Sequence, residues 1–112
     1  MDKSDSVIRI LTTTSNKEEA ERIGKALVEE GLCACVQVYG PILSIYPWKG
    51  NVERDEEWVL SIKTLGDKYK ACEAEITRLH SYEVPQILAF QAEAVSQPYL
   101  EWMKAWISEN EG

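Results

Sequence analysis

The stretch His80-Ser81-Tyr82-Glu83-Val84-Pro85-Gln86 gathers an imidazole, a phenol and a carboxylate within four positions, followed closely by a proline. His80 is the only histidine of the chain. Near neutral pH an imidazole binds metal, moves a proton or orients a ligand. A single isolated histidine is more commonly an ordinary hydrogen-bonded loop residue. Cys33-Ala34-Cys35 is the second candidate group. Alternate residues of a strand share a face, so the two thiols are expected on one side, about 6.6 Å apart. They read either as soft-metal ligands or a nucleophile, or as small core residues, free cysteine being among the most buried types. Cys33 fits the core reading; Cys35 stays open. Cys35, His80 and Glu83 together make a nucleophile, a base and an orienter, but nothing in the sequence marks an oxyanion hole. Metal binding through Cys35 and His80 needs further ligands, and no C-x-x-C or H-x-x-x-H spacing supplies them. Such a site is weak, shared between chains, or adventitious.

Other clusters carry less. Tyr46, Trp48, Tyr82, Tyr99 and Trp102 read as an interface core or, more sharply, as a ligand pocket at a subunit junction. The run Glu53-Arg54-Asp55-Glu56-Glu57 reads either as a surface that collects hard cations or, as is commoner for such runs, as a solvated face. Gly24, Gly31, Gly40, Gly50 and Gly66 are isolated and cradle no phosphate, so no nucleotide is expected.

The elements that must position these groups follow from periodicity. A first strand is predicted over 7–13. Ser15-Asn16-Lys17-Glu18 has the form of a capping box, and Ala20, Ile23, Leu27 and Val28 give a helix over 16–30 one apolar face. Gly31 sits where a helix C-terminal glycine belongs. A strand buried on both faces is predicted over 32–39, bent at Gly40-Pro41 and resumed over 42–46. The turn at 47–51 is tightest at Lys49-Gly50-Asn51. The returning strand, 58–64, is expected to begin near Asn51 and to be interrupted by the charged run. Asp67 is placed to cap a second helix, with Tyr69, Cys72, Ile76 and Leu79 as its stripe, ending at His80. A fourth strand is predicted over 87–92. Ser96-Gln97-Pro98 opens a C-terminal helix whose face carries Tyr99, Trp102, Met103, Trp106 and Ile107.

The order β-α-β-β-α-β plus a terminal helix predicts an α+β, ferredoxin-like antiparallel sheet with both main helices on one face. The chain of 112 residues is read as one domain, its core spanning about 7–107. A helix of about 15 residues spans roughly 22 Å, whereas a strand from Leu32 to Tyr46 spans roughly 50 Å. The hairpin must therefore outrun the helices that cover it, and its far end carries Ile42, Ile45, Tyr46 and Trp48. That arm and the open sheet face are expected to meet other copies of the chain.

Net charge is −7, which repels phosphates and argues against nucleic acid as a partner. No apolar run reaches the ~20 residues needed to cross a bilayer, so no membrane partner is expected. The polar start, Met1 to Ser6, and three cysteines without an extracellular cue point to a reduced cytoplasmic protein.

Leu32-Cys33-Ala34-Cys35-Val36, Ser44-Ile45-Tyr46-Pro47-Trp48-Lys49-Gly50, Ile62-Lys63-Thr64, His80 to Ile87 and Tyr99-Leu100-Glu101-Trp102 occur in that order. This pattern resembles the CutA family of divalent-cation tolerance proteins over about 7–106. The resemblance implies a homotrimer similar in architecture to PII signalling proteins, and a link to tolerance of copper and other divalent metals. It implies that Cys35, Tyr46, Trp48, Lys63, His80, Tyr82, Glu83 and Pro85 cluster at clefts between subunits, with Tyr99 and Trp102 as further cleft candidates. His80 and Cys35 are then the candidate metal ligands. There are departures: Ser81 replaces the usual proline and Gln86 the usual glutamate. Thr12 and Leu79 occupy places where copper-linked members carry cysteine and a second histidine. Binding of copper is thus expected to be weak, or to depend on Cys35. Three functions compete: a trimeric metal-response or signalling protein binding a cation or small ligand, an enzyme using Cys35 and His80, and a trimeric scaffold holding another protein. The first is favoured and an enzyme is not expected.

Overall fold

The computed structural model describes residues 6–110; the polar N-terminal stretch 1–5 lies outside them. Four strands form one antiparallel sheet in the order β2-β3-β1-β4. They are β1 (Val7–Thr14), β2 (Cys35–Trp48), β3 (Asn51–Leu65) and β4 (Leu88–Gln91). Three helices complete the fold: α1 (Lys17–Glu29), α2 (Tyr69–Leu79) and α3 (Gln97–Glu109). This is the split β-α-β-β-α-β arrangement that the order of elements predicts. Among the described residues no helix is long and apolar enough to cross a membrane.

Helices α1 and α2 cover one face of the sheet. Ala20, Ile23 and Leu27 of α1 and Cys72 and Ile76 of α2 join Ile8, Ile10, Leu60 and Ile62 in one buried cluster. The second face is covered only at one end, where Met103 and Ile107 of α3 meet Val7, Ala34 and Leu65. Trp106 fixes α3 in place by donating its indole N–H to the Val28 carbonyl at 3.0 Å.

Local signals explain most boundaries. Helix α1 ends in a Schellman motif. Gly31, at φ +74, donates to the Val28 carbonyl, and Leu32 donates to that of Leu27. The hairpin turns on two residues with positive φ, Lys49 at 51° and Gly50 at 84°, between the paired Trp48 and Asn51. The arm makes the molecule 44 Å long but only 26 Å and 22 Å across.

Four expectations are corrected. The N-cap of α1 is Asn16, which accepts from the Glu19 amide at 2.8 Å, so the capping frame lies one residue later than Ser15 suggests. Asp67 caps nothing; it lies in a short 3₁₀ turn (Gly66–Lys68), and no side chain caps α2. The run Glu53 to Glu57 does not interrupt β3, because every one of its residues pairs across to β2. Cys33 and Cys35 do not share a face. β2 begins only at Cys35, so no two-residue alternation governs 32–34. Cys33 is wholly buried under the helices, whereas Cys35 faces the other side beside Lys63, its cross-strand partner.

Candidate functional site

α1 and α2 are antiparallel, so the first turn of α1 lies beside the end of α2. There the chain leaves α2 through His80, whose backbone is extended (φ −78°, ψ 141°). The His80 ring is buried and both nitrogens are engaged. Nε2 lies 2.7 Å from the Thr13 carbonyl oxygen, and Nδ1 accepts the Tyr82 amide at 3.1 Å. A carbonyl only accepts, so Nε2 carries the proton; these partners fix the tautomer. The Glu19 carboxylate, 5 % exposed, accepts from both the amide and the hydroxyl of Ser81, at 2.8 and 3.0 Å. Its nearer oxygen is 3.8 Å from His80 Nδ1. An acid in the first turn of α1, favoured there by the helix dipole, therefore clamps the loop that follows α2.

That loop forms one wall of a groove of about 740 Å³; the arm forms the other. Tyr82, Glu83, Val84 and Pro85 line it from the loop, and Tyr46, Trp48 and Glu57 from the arm. Tyr82 donates its hydroxyl to the Glu57 carboxylate at 2.6 Å, tying the walls together. Burial first, and then this carboxylate, push the Tyr82 phenol well above its ordinary range. Tyr46 donates to the Asp55 carboxylate, and that hydrogen bond is the main reason its phenol is pushed up to about 12.

The sequence candidates separate into two groups. Tyr46, Trp48, Tyr82, Glu83 and Pro85 come together in the groove, with His80 behind its wall. Cys35, Lys63, Tyr99 and Trp102 lie elsewhere, on the open sheet face beside α3. Lys63 bonds Gln37 there, and Tyr99 stacks on Trp102 with ring centroids 5.6 Å apart. Burial, then the neighbouring Cys35, raises the Tyr99 phenol. Lys63, the partner of Cys35, pairs with Arg9, four residues along β1 from the Thr13 carbonyl that His80 contacts. That offset is roughly 13 Å along the strand, so one copy does not assemble a Cys35–His80 pair. Nor does one copy gather a metal site: among the described residues no three or more His, Cys, Asp or Glu side chains converge. With both imidazole nitrogens occupied, the donor set of a single chain does not fit a tightly held cation.

Glu19 and Glu57 are the functional residues that sequence reasoning missed. A signal existed for Glu57. Alternation along β3 puts Glu53, Asp55 and Glu57 on one face, the face of Val59 and Thr13. Glu19 was legible only once the topology had placed it beside Ser81.

An antiparallel sheet with two helices on one face, a projecting two-stranded arm and an aromatic, carboxylate-bearing groove defines a small α+β protein; sequence and structure comparisons define the family. Residues 8–106 match the family model "CutA1 divalent ion tolerance protein". The divalent-cation tolerance protein CutA of Thermus thermophilus is 38% identical over 95 residues, covering 85% of this chain and 92% of that protein. Human protein CutA is 37% identical over 99 residues, covering 88% of this chain and 55% of the human protein. The structure of the periplasmic divalent cation tolerance protein CutA from Archaeoglobus fulgidus superposes with a TM-score of 0.87 at 35% identity, over 90% of this chain and 98% of that one. The chain belongs to the CutA1 divalent ion tolerance family.

Proposed function

We propose that the chain works as a homotrimer, similar in architecture to PII proteins, in the tolerance of or response to divalent metal such as copper. A metal ion or small ligand is held in clefts where copies meet, and the role is signalling rather than catalysis. The arm carries this reading. Leu43, Ile45 and Val52 are exposed on it, and Leu88 and Phe90 are exposed on the open sheet face. Apolar surface of that extent marks an interface. Because one copy lacks a converging donor set, a cation is held weakly or by donors from two copies, with Cys35, Glu83 and His80 as the candidates. The cysteine usage of the sequence, three thiols without an extracellular cue, supports a reducing compartment, the cytoplasm in this reading.

Light scattering at micromolar concentration tests the assembly. Three times the 12.7 kDa chain mass is expected, and a monomer overturns the reading. Copper calorimetry on the wild type, His80→Ala and Cys35→Ser tests the cation; three identical isotherms remove both residues from the site. A second reading, a trimeric scaffold for another protein with no physiological metal, is favoured by one observation: both nitrogens of the lone imidazole are committed to backbone partners. A partner captured equally well with chelator and with groove variants supports it.

A further inference from the structure

The groove between the arm and the loop after α2 has a chemistry that selects a class of ligand. Its volume, about 740 Å³, suits a small organic molecule and far exceeds the space of a bare ion. Two carboxylates, Glu57 and Glu83, stand in its walls, and no lysine, arginine or histidine is among the residues that line it. Glu57 is nearly buried, at 5 % exposure, and its partner in the groove is a neutral phenol rather than a cation. A desolvated carboxylate without a counterion is costly, and a cation arriving from solution relieves that cost. The remaining walls include the rings of Tyr46, Trp48 and Tyr82 and the apolar surfaces of Ile45, Val84 and Pro85, with neutral polar side chains such as Ser44 and Gln86 between them. Aromatic faces attract cations, most strongly where water is excluded. Trp48 already shows this preference, with Lys49 Nζ lying 5.8 Å from its ring centroid. A nucleotide or other anion meets two carboxylates and is rejected. A bare divalent ion meets too few donors, since no three ligating side chains converge among the described residues.

We propose that this groove binds an organic cation, an amine, amidine or guanidine attached to an aromatic or aliphatic body. The charged head lies against Glu57 and Glu83, and the body lies among Tyr46, Trp48 and Tyr82. This rests on the reading of the groove as the working cleft and names its ligand class.

Benzamidine serves as probe, with benzamide, its uncharged analogue of the same shape, as control. Titration is followed by tryptophan fluorescence and calorimetry on the full chain. Benzamidinium is expected to bind at least tenfold more tightly than benzamide. Glu57→Gln is expected to weaken it about tenfold. Glu83→Gln, at an exposed position that does not threaten folding, is expected to weaken it several-fold. Raising the salt weakens the charged probe alone. Equal binding of the two probes, or no effect of either substitution in folded protein, overturns the proposal. Copper chloride titrated alone separates the two readings. Copper binding without benzamidinium binding sinks the organic-cation site and leaves metal response standing. Benzamidinium binding to a protein that scatters as a monomer supports the groove and sinks the trimeric cleft.

Discussion

Replacing Glu19 by alanine removes the carboxylate that holds Ser81 by two hydrogen bonds. Hydrogen bonds to a charged group contribute about 1.5–3 kcal/mol each. The amide of Ser81 then loses its acceptor in a part-buried setting, which costs about 2 kcal/mol. The hydroxyl, on an exposed residue, turns to water and loses about 0.5 kcal/mol. Loss of an acid from the first turn of α1 adds about 0.5 kcal/mol. The total destabilisation is about 3 kcal/mol, equivalent to roughly 12 °C in Tm for a domain of this size. Urea denaturation followed by circular dichroism, at one fixed protein concentration because association adds to apparent stability, measures it. The mechanism is isolated by a double-mutant cycle with Ser81→Pro. Proline has neither donor, and the extended backbone of His80 is the conformation a following proline requires. In the Ser81→Pro background, Glu19→Ala should cost about 2 kcal/mol less than in the wild type. Additive effects, with coupling below about 0.5 kcal/mol, would falsify the clamp.

Other substitutions probe other parts of the fold. The Thr12 hydroxyl is buried without a hydrogen-bond partner; Thr12→Val should therefore stabilise by about 1 kcal/mol in the same urea assay, and a loss of stability would reveal a hidden partner. Glu30 has its carboxyl raised by the hydrogen bond with Glu75 and stands at the C-terminus of α1, where negative charge is unfavourable. A raised carboxyl favours the folded state only while protonated. Glu30→Gln should accordingly stabilise by about 0.3 kcal/mol at pH 7, discounted for exposure, with the gain fading as pH falls through the raised folded value and absent below the unfolded value near 4.5. Burial raises the Cys33 thiol and pushes that of Cys72 up to about 12. Timed alkylation with mass spectrometry should find both unmodified until the protein unfolds, leaving Cys35 as the site of any fast labelling.

Helix α1 was legible nearly to the residue because its apolar period and the glycine that ends it act within one segment. The arm was legible for a similar reason: two long strand patterns flank Lys49-Gly50. What failed was anything set by partners distant in sequence. Cys33 and Cys35 look equivalent on a strand template, yet Cys33 precedes the strand and is drawn into the helical side by packing under α1 and α2. Glu57 reads as one more member of a charged run; alternation gives its face, but only the fold shows that Tyr82 meets it there. His80 stands out as a candidate ligand, but the hydrogen bonds by which it holds a loop against β1 run to partners that the sequence does not reveal. Of the groove, the aromatic members and Glu83 could be named from the sequence; Glu57, which shares its charge, and Glu19, which anchors its loop, could not.

The register shift between Tyr39 and Ile42 has a consequence for the whole outer half of the hairpin. There β2 advances three residues while β3 advances two, from Val59 to Glu57. The surplus residue resets the parity of the ribbon: odd-numbered side chains of β2 share the face of Val59 before it, even-numbered ones after it. Tyr46 and Trp48 owe their inward aim to this one-residue offset. Excising a single residue at Gly40-Pro41 would remove only that surplus and leave Tyr46 and Trp48 on their face, whereas pairing the intact strand without the offset would turn the tip inside out, bringing Leu43 and Ile45 onto the face that the rings now hold. Away from the bulge, gaining or losing one residue in either strand would turn every side chain beyond it to the opposite face, whereas changes by pairs would keep the aim of the tip.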